Sequence, residues 1–273
     1  MLTLEDYKKT FVEYLNENGP VFDQHDLENF SINYVYNSAA IEGNTFTYDQ
    51  TYTFLKTGEV IPGKSYDEHA ELKDLQKAFT LMRDFAIKQV LLSEGVILTI
   101  HKQVQYSTNP EHAGKYKETA NRVGKYSTPY PEKAKAMFLD LINSYNSMEP
   151  SVKEGKLHPL ELAAKIHLDT VLIHPFLDGN GRTARLLTDY TLIKNGHPPF
   201  IYKVADRTKY VNAIVQSRET KNHQPFTAYV IDQATQMLKE KVDYLKKKSS
   251  YIKPPKDGGD YNIFEETGGK LGF

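Results

Sequence analysis

Residues 174–185 read HPFLDGNGRTAR and bring together residue types that handle protons, metals and anions. His174 can accept a proton from an incoming hydroxyl group. Asp178 offers one carboxylate, and one carboxylate with phosphate oxygens and water is a usual setting for Mg²⁺. Arg182 and Arg185 stand three residues apart, so on a helix both side chains reach one anion. This stretch therefore predicts attack on a phosphorus atom.

The centre of the stretch predicts a turn that leads into a helix. Gly179 and Gly181 flank Asn180, and they allow positive φ angles and close approach of a phosphate to the backbone. The free N–H groups of the first helical turn favour an anion there. A Walker loop needs Lys-Ser/Thr where Arg182 and Thr183 stand, an EF-hand needs glycine at Thr183, and HExxH is absent from the sequence. The remaining alternative, a polar turn before a helix, explains neither arginine.

Helices must position these residues, because apolar residues recur at helical spacing along most of the chain. A buried helix over LELAAKIHLDTVLI ends at His174, since Pro175 follows it. Another helix begins at the turn and ends before Gly196. The glycine-bounded segment 114–126 is the one strand candidate, and it forms either a small hairpin or an irregular loop. We therefore predict an all-α, mostly helical fold with a small β-hairpin.

A second candidate for function is SAAIEGN, residues 38–44, at the end of a helix predicted over about residues 27–43. Ser38 and Glu42 are four residues apart and share a helix face. Gly43 ends this helix and leaves the Glu42 carboxylate at the negative end of the helix dipole, where it is locally unfavourable. Either another contact holds Glu42 there, or the segment is an ordinary capped surface helix.

Composition limits the classes of function. The 273 residues are 40% hydrophobic, enough for a core, and contain no cysteine, which excludes disulfides and thiolate chemistry. A net charge of −1 gives no basic field for nucleic acid. No apolar run is long enough to span a membrane, and the N-terminal MLTLEDYKKT does not resemble a signal peptide. We expect a cytoplasmic protein that binds neither nucleic acid nor a membrane, with its oligomeric state left open.

HPFLDGNGRTAR matches every specified position of the Fic signature HPFx[DE]GNGRxxR, and the chain resembles Fic proteins over roughly residues 30–230. The resemblance implies a helical enzyme that uses Mg²⁺ and transfers AMP from ATP to a hydroxyl group of a target protein. It implies that His174 is the base and that Asp178 holds the metal. By the same resemblance, the anion hole and the phosphate contacts belong to Gly179, Asn180, Gly181, Arg182 and Arg185. A lysine in place of Gly181 marks the kinase branch of the family, so the glycine favours nucleotidyl transfer.

The SAAIEGN segment resembles the inhibitory helix of the family, [ST]xxxE[GN]. This resemblance implies that Glu42 pairs with Arg185, keeps the γ-phosphate from docking, and makes the chain regulate itself. In some relatives the same glutamate serves in the removal of AMP. Two alternatives therefore stay open: a deAMPylase in which Glu42 positions water, and a catalytically silent nucleotide-binding module.

The resemblance extends to the rest of the chain. Segment 114–126 corresponds to the β-hairpin flap that docks a target protein by strand addition, and self-modification is a further expectation. Tyr210 corresponds to a tyrosine near the nucleotide base. We expect three regions: an N-terminal helical region at 1–94 with the inhibitory helix, a Fic core at 95–248, and an extended tail at 249–273.

Overall fold

The computed structural model describes residues 1–18 and 24–252, and these residues are mostly helical, as the apolar periodicity predicted. The first half contains α1 (Leu4–Asn18), α2 (Gln24–Glu42), α3 (Tyr48–Thr57), α4 (Tyr66–Ile87) and α5 (Glu94–Val104). An antiparallel hairpin of two short strands follows, β1 (Arg122–Val123) and β2 (Tyr126–Ser127). The second half contains α6 (Pro131–Lys153), α7 (Pro159–Ile173), α8 (Asn180–Lys194), α9 (Arg207–Thr220) and α10 (Gln224–Ile252).

Helices α7 and α8 pack along each other at the centre of the fold. Leu162 and Ile166 of α7 and Leu186 and Leu187 of α8 are completely buried. Helices α4 and α5 cover α8, whereas α6 and α10 pack against α7. The HPFLDGNGRTAR stretch spans the end of α7, the turn and the start of α8, so this packing fixes the geometry of the turn.

Helix α2 brings the SAAIEGN segment to the same place. It begins at Gln24, slightly before the predicted start, and buries Ile32, Val35 and Ala39 against its neighbours. It packs on α4, and its C-terminal end reaches α8. Gly43 ends the helix with a φ of 111°, a conformation that glycine adopts without a steric penalty.

The hairpin is shorter and lies later in the chain than the predicted segment 114–126. Its register pairs Arg122 with Ser127 and Val123 with Tyr126. Gly124, with a φ of 55°, opens the two-residue turn. Residues 115–121 form no strand, because polar groups of this segment bond to the loop after α7 instead of to a facing strand.

The predicted start of the tail at residue 249 is wrong, because α10 continues to Ile252. Residues 253–273 lie outside the described residues. Across residues 1–18 and 24–252, no helix is long and apolar enough to cross a membrane.

Candidate active site

His174 caps the C-terminal end of α7 in a left-handed conformation, with φ 54° and ψ 60°. Its backbone N–H donates to the Thr170 carbonyl at 2.9 Å. Its Nδ1 lies 3.4 Å from the Val171 carbonyl, which can only accept, so Nδ1 carries the proton and Nε2 keeps a free lone pair. Burial lowers the pKa of His174 to about 4, and the nearby Lys117 ammonium acts in the same direction. At neutral pH the imidazole is therefore uncharged and able to accept a proton.

The turn after His174 is held by its own side chains. Asn180 accepts from the Phe176 N–H at 3.0 Å and donates to the Phe176 carbonyl at 2.9 Å. The Phe176 ring is fully buried and stacks on His101, with their centroids 3.8 Å apart. Gly179 has a φ of 75°, and a Cβ at this position would come within 2.6 Å of Gln105 Nε2. The turn thus depends on glycine and is preorganised by α5.

His101 of α5 and Gln105, directly after α5, fix the position of Asp178. The Gly114 N–H donates to His101 Nδ1, so His101 Nε2 carries the proton and donates to the Asp178 carbonyl at 2.9 Å. Gln105 Nε2 donates to Asp178 Oδ2 at 2.9 Å. Burial opposes the charge of Asp178, but the neighbouring Arg182 guanidinium keeps the pKa of this carboxyl below its usual value. Asp178 is therefore ionised and held in one place.

Arg185 is bound by the end of α2. Its Nε donates to Ser38 Oγ at 2.8 Å, and its Nη2 donates to the Ser38 carbonyl at 2.9 Å and to Glu42 Oε1 at 2.8 Å. The guanidinium is buried, and its Nη1 has no hydrogen-bond partner in the described residues. Burial raises the pKa of Glu42, but the Arg185 charge outweighs this effect, so the net pKa lies below the usual value. Glu42 and Arg185 are thus a charged pair.

The Glu42 carboxylate covers the N-terminal end of α8. A Cβ built on Gly181 would collide with Glu42 Oε1 and would lie 3.3 Å from Arg185 Nη1. The free N–H groups at a helix N-terminus favour a negative charge. In this structure, the place that the sequence predicts for a phosphate is therefore next to a carboxylate of the chain itself.

Arg182 points to a different partner from Arg185. Its Nη1 donates to Glu71 of α4 at 2.6 Å, and its Nη2 donates to Asp178 at 2.9 Å. Glu71 also accepts from Asn44 Nδ2 at 2.8 Å, and Asn44 lies two residues beyond Glu42. The two arginines share one helix, as predicted. Arg182 binds the carboxylates of Glu71 and Asp178, whereas Arg185 binds that of Glu42.

The Asp178 carboxylate fits a magnesium site in which the substrate supplies further ligands of the ion. Its side chain is 61% exposed and lies at the mouth of the turn. Within the described part of the chain, no group of three or more His, Cys, Asp or Glu side chains could hold a metal alone. Mg²⁺ commonly keeps waters and binds one or two carboxylates together with phosphate oxygens. Asp178 can supply such a carboxylate ligand.

A cleft of about 370 Å³ opens beside the turn. His174, Gly181 and Glu42 line one side of the cleft, and α9 and the hairpin line the other. Tyr210 of α9 forms part of the wall, and its hydroxyl bonds His167 Nε2 at 2.9 Å in the core. The cleft therefore joins the candidate base and the anion hole to a largely apolar wall that suits a nucleotide base.

Comparisons with known proteins agree with this geometry. A family model described as Fic/DOC matches residues 91–192. The protein adenylyltransferase fic-1 of Caenorhabditis briggsae is 34% identical over 221 residues, which cover 80% of this chain and 43% of the relative. This chain belongs to the Fic/DOC family. The protein adenylyltransferase Fic of Nematostella vectensis is 37% identical over 204 residues, which cover 72% of this chain and 45% of the relative. The chain spans less than half the length of these curated relatives.

The fold of this Fic chain also matches a solved structure. The crystal structure of a Fic domain containing signaling protein from Bacteroides thetaiotaomicron aligns with a TM-score of 0.78 and 26% sequence identity. The alignment covers 89% of this chain and 98% of that protein. The family membership and the mostly helical fold that the signature indicated are both confirmed.

The hairpin of this Fic chain closes one side of the cleft by contacts with α9. The Tyr126 hydroxyl donates to Glu219, and the Arg218 guanidinium lies 4.8 Å from the centre of the Tyr126 ring. Lys125 Nζ lies 3.4 Å from the same Glu219 carboxylate. Val123 and Gly124 complete the tip of the hairpin on the cleft side. The flap named from the sequence thus lies over the cleft that contains His174.

Sequence reasoning missed several side chains that position the Fic signature. Glu71 binds Arg182, and His101 and Gln105 bind Asp178, although none of the three belongs to a recognisable motif. Lys117 lies in the segment that was predicted as hairpin. A sequence signal exists for His101 alone, because a histidine within an otherwise apolar helix face is usually hydrogen-bonded in the core.

Proposed function

We propose that this protein transfers AMP from ATP, with Mg²⁺, to the hydroxyl group of a tyrosine, serine or threonine of a target protein. The observation that carries the proposal is the buried Arg185 guanidinium, whose Nη1 lies beside the N-terminus of α8 and has no partner among the described residues. An anion there would gain the Nη1 N–H groups and the helix dipole together. The names of the relatives support AMP transfer as the reaction that uses this site.

In the proposed reaction, His174 Nε2 accepts the proton of the target hydroxyl while the oxygen attacks the α-phosphorus. The bond from the α-phosphorus to the bridging oxygen breaks, and pyrophosphate leaves. Backbone N–H groups at Gly181 and the guanidinium of Arg185 bind phosphate oxygens and offset the charge that develops. Asp178 would hold Mg²⁺, which supplies further charge neutralisation on the phosphates.

We further propose that Glu42 inhibits this reaction in the same chain. Its carboxylate binds Arg185 and lies against Gly181, where a nucleotide phosphate must bind. Two negative groups in this space repel each other, so ATP binds productively only when Glu42 leaves. The target segment then docks on the flap by strand addition, and Tyr210 packs against the nucleotide base.

The test compares parent protein, Glu42→Gly and Glu42→Gly/His174→Ala with Mg²⁺ and ATP labelled at the α-phosphate. A cell lysate serves as acceptor, and intact mass reports self-modification. We expect Glu42→Gly to label protein, the parent to give little label, and the double variant to give none. Equal label with Glu42→Gly and with the double variant would show that the reaction does not require His174. No label with any form would overturn the proposed transfer.

A second function is removal of AMP from modified proteins. The observation in its favour is that the ionised Glu42 carboxylate, 37% exposed, lines the same cleft as His174. A carboxylate in that position can orient a water molecule toward phosphorus. The labelled protein made by Glu42→Gly is the substrate for this assay. The parent should release AMP from it and Glu42→Gly should not, and release by neither form would exclude the second function.

A further inference from the structure

Lys117 is a buried cation, and no buried anion in the described part of the chain pairs with it. Only 3% of the residue is exposed. No carboxylate of the described residues forms an ion pair with its ammonium group, although surface lysines such as Lys125 and Lys165 have such pairs. Burial lowers the pKa of Lys117 from its usual value. Because an unpaired buried charge is costly, its retention calls for a physical reason.

The ammonium group of Lys117 ties the two ends of the flap together. Its Nζ donates to Asn121 Oδ1 at 2.9 Å and to Thr128 Oγ1 at 2.7 Å. Asn121 directly precedes β1, and Thr128 directly follows β2. Thr128 also donates its backbone N–H to the Asn121 carbonyl at 3.2 Å. We call Lys117, Asn121 and Thr128 the flap joint.

The flap joint is bonded to the loop that carries His174. The Lys117 backbone N–H donates to the Pro175 carbonyl at 3.0 Å. Asn121 Nδ2 donates to the Phe176 carbonyl at 3.2 Å. The flap and the residues directly after His174 therefore form one hydrogen-bonded unit, and the position of the flap sets the position of the base.

The positive charge of Lys117 adds something that a neutral donor would not. Lys117, Asp178 and Glu42 are the charged side chains that act on His174. Lys117 disfavours the imidazolium form of His174, whereas Asp178 and Glu42 favour it. The Lys117 charge thus adds to burial, which is the main cause of the lowered pKa of His174.

We propose that Lys117 is a positioning residue for AMP transfer, which aligns the flap with the loop that carries His174. This inference rests on the proposed function. The positioning role requires no contact between Lys117 and the nucleotide, because the side-chain partners of Lys117 lie at the two ends of the flap. Changing Lys117 should therefore alter the rate of the chemical step more than the binding of ATP.

The test uses the Glu42→Gly form, in which transfer is not inhibited, and measures initial rates of AMP incorporation across pH and ATP concentration. Lys117→Met removes the charge at similar size, and Lys117→Arg keeps it. Lys115→Met is the matched control, because Lys115 is exposed in the same segment. Thr128→Val removes one partner of the flap joint and leaves the charge.

Lys117→Met should lower the maximal rate by about tenfold or more, since small misplacements of reacting groups have effects of this size. The ATP concentration for half-maximal rate should change little. Loss of the positive charge raises the pKa of His174, so the decline in rate at acid pH should move to higher pH. Lys117→Arg should restore the pH profile, and Thr128→Val should slow transfer without moving it.

The possible failures are distinguishable. Absence of transfer by Glu42→Gly itself would overturn the proposed function, and the inference with it. Transfer by Lys117→Met with the rate and pH profile of Lys115→Met would overturn the inference alone. If its thermal melt shows that Lys117→Met does not fold, Lys117→Arg and Thr128→Val test the inference instead. Transfer by Thr128→Val at the rate of the Glu42→Gly form would overturn the role of the flap joint.

Discussion

Glu42 of α2 and Arg185 of α8 are joined at 2.8 Å although 143 positions separate them in the sequence. The contact connects the end of one helix to the second turn of another, and Ser38 binds the same guanidinium through its Oγ and its carbonyl. Arg185 thus makes three hydrogen bonds to α2, and the two N–H groups of its Nη1 have no partner among the described residues. This relationship makes Glu42 part of the architecture of the site.

Replacement of Glu42 by glycine should therefore lower stability as well as release the site. The change leaves a buried guanidinium without its carboxylate, which should lower the free energy of unfolding by about 1–3 kcal/mol. Mg²⁺-ATP should then raise the melting temperature of Glu42→Gly more than that of the parent, because the phosphates replace the lost anion. Thermal melts measure both effects. Glu59→Gly, at an exposed position after α3, is the control, and equal ATP shifts in parent and Glu42→Gly would contradict the expectation.

Glu71 should be required for the correct position of Arg182. Glu71→Gln keeps the size of the side chain but removes the charge that Arg182 and Asn44 bond. In the Glu42→Gly form, we expect a higher ATP concentration for half-maximal transfer and a loss of about 1–3 kcal/mol in stability. Transfer kinetics and chemical denaturation provide the measurements. With Glu132→Gln as exposed control, an unchanged ATP requirement would show that Arg182 does not depend on Glu71.

Asp178 should set the requirement for magnesium. Asp178→Asn keeps an acceptor for Gln105 but removes the negative charge that attracts the cation. In the Glu42→Gly form, the Mg²⁺ concentration for half-maximal transfer should rise by about tenfold or more, as loss of one charged ligand implies. A magnesium titration of the transfer rate measures this, with Asp49→Asn of α3 as control. The same magnesium curve for Asp178→Asn would assign the metal to another residue.

His158 should make the protein less stable in acid. It caps α7 by accepting the Leu160 N–H on Nδ1, and burial lowers its pKa from 6.5 to about 4. Above pH 6.5 neither the folded nor the unfolded state protonates it. Between pH 6.5 and 4, His158 is protonated in the unfolded state but not in the folded state. The free energy of unfolding therefore falls as the pH falls. Asparagine also caps helices but does not titrate.

His158→Asn should therefore lose less stability than the parent on acidification. Between pH 7.5 and pH 5, the free energy of unfolding should fall more for the parent than for His158→Asn, by on the order of 1 kcal/mol. Urea denaturation at several pH values measures it. His112→Asn, in the loop after α5, is the matched control. Parallel pH curves for parent and His158→Asn would show that this histidine does not contribute to acid sensitivity.

Much of the fold could be predicted because local rules operate where the structure is regular. Pro175 and Gly196 mark the ends of α7 and α8, and apolar spacing reports which faces are buried. The signature and the SAAIEGN segment contain residues that lie together at the cleft in the structure. The distance between Glu42 and Arg185 is observed, whereas its inhibitory role stays a prediction.

The rest depended on tertiary packing that a single sequence does not encode locally. Helix α4 carries acidic residues at 67, 68, 71 and 74, and only the approach of α8 selects Glu71 as the partner of Arg182. The segment around Lys117 is polar, and residues 118–120 are exposed, yet Lys117 itself is buried beside the loop after α7. The hairpin was predicted too early in the sequence because the contacts of this segment with the loop after α7 are also tertiary.

Glu42 and the cleft belong to one chain, and this has a consequence for how the proposed inhibition would respond to conditions. An inhibitor on the same chain has an effective concentration set by geometry, so dilution of the protein leaves its occupancy unchanged. Free carboxylates such as acetate would have to reach very high concentrations to act in its place on Glu42→Gly. A proteolytic cut between α2 and α3 would turn Glu42 into a separable ligand, and inhibition would then depend on dilution.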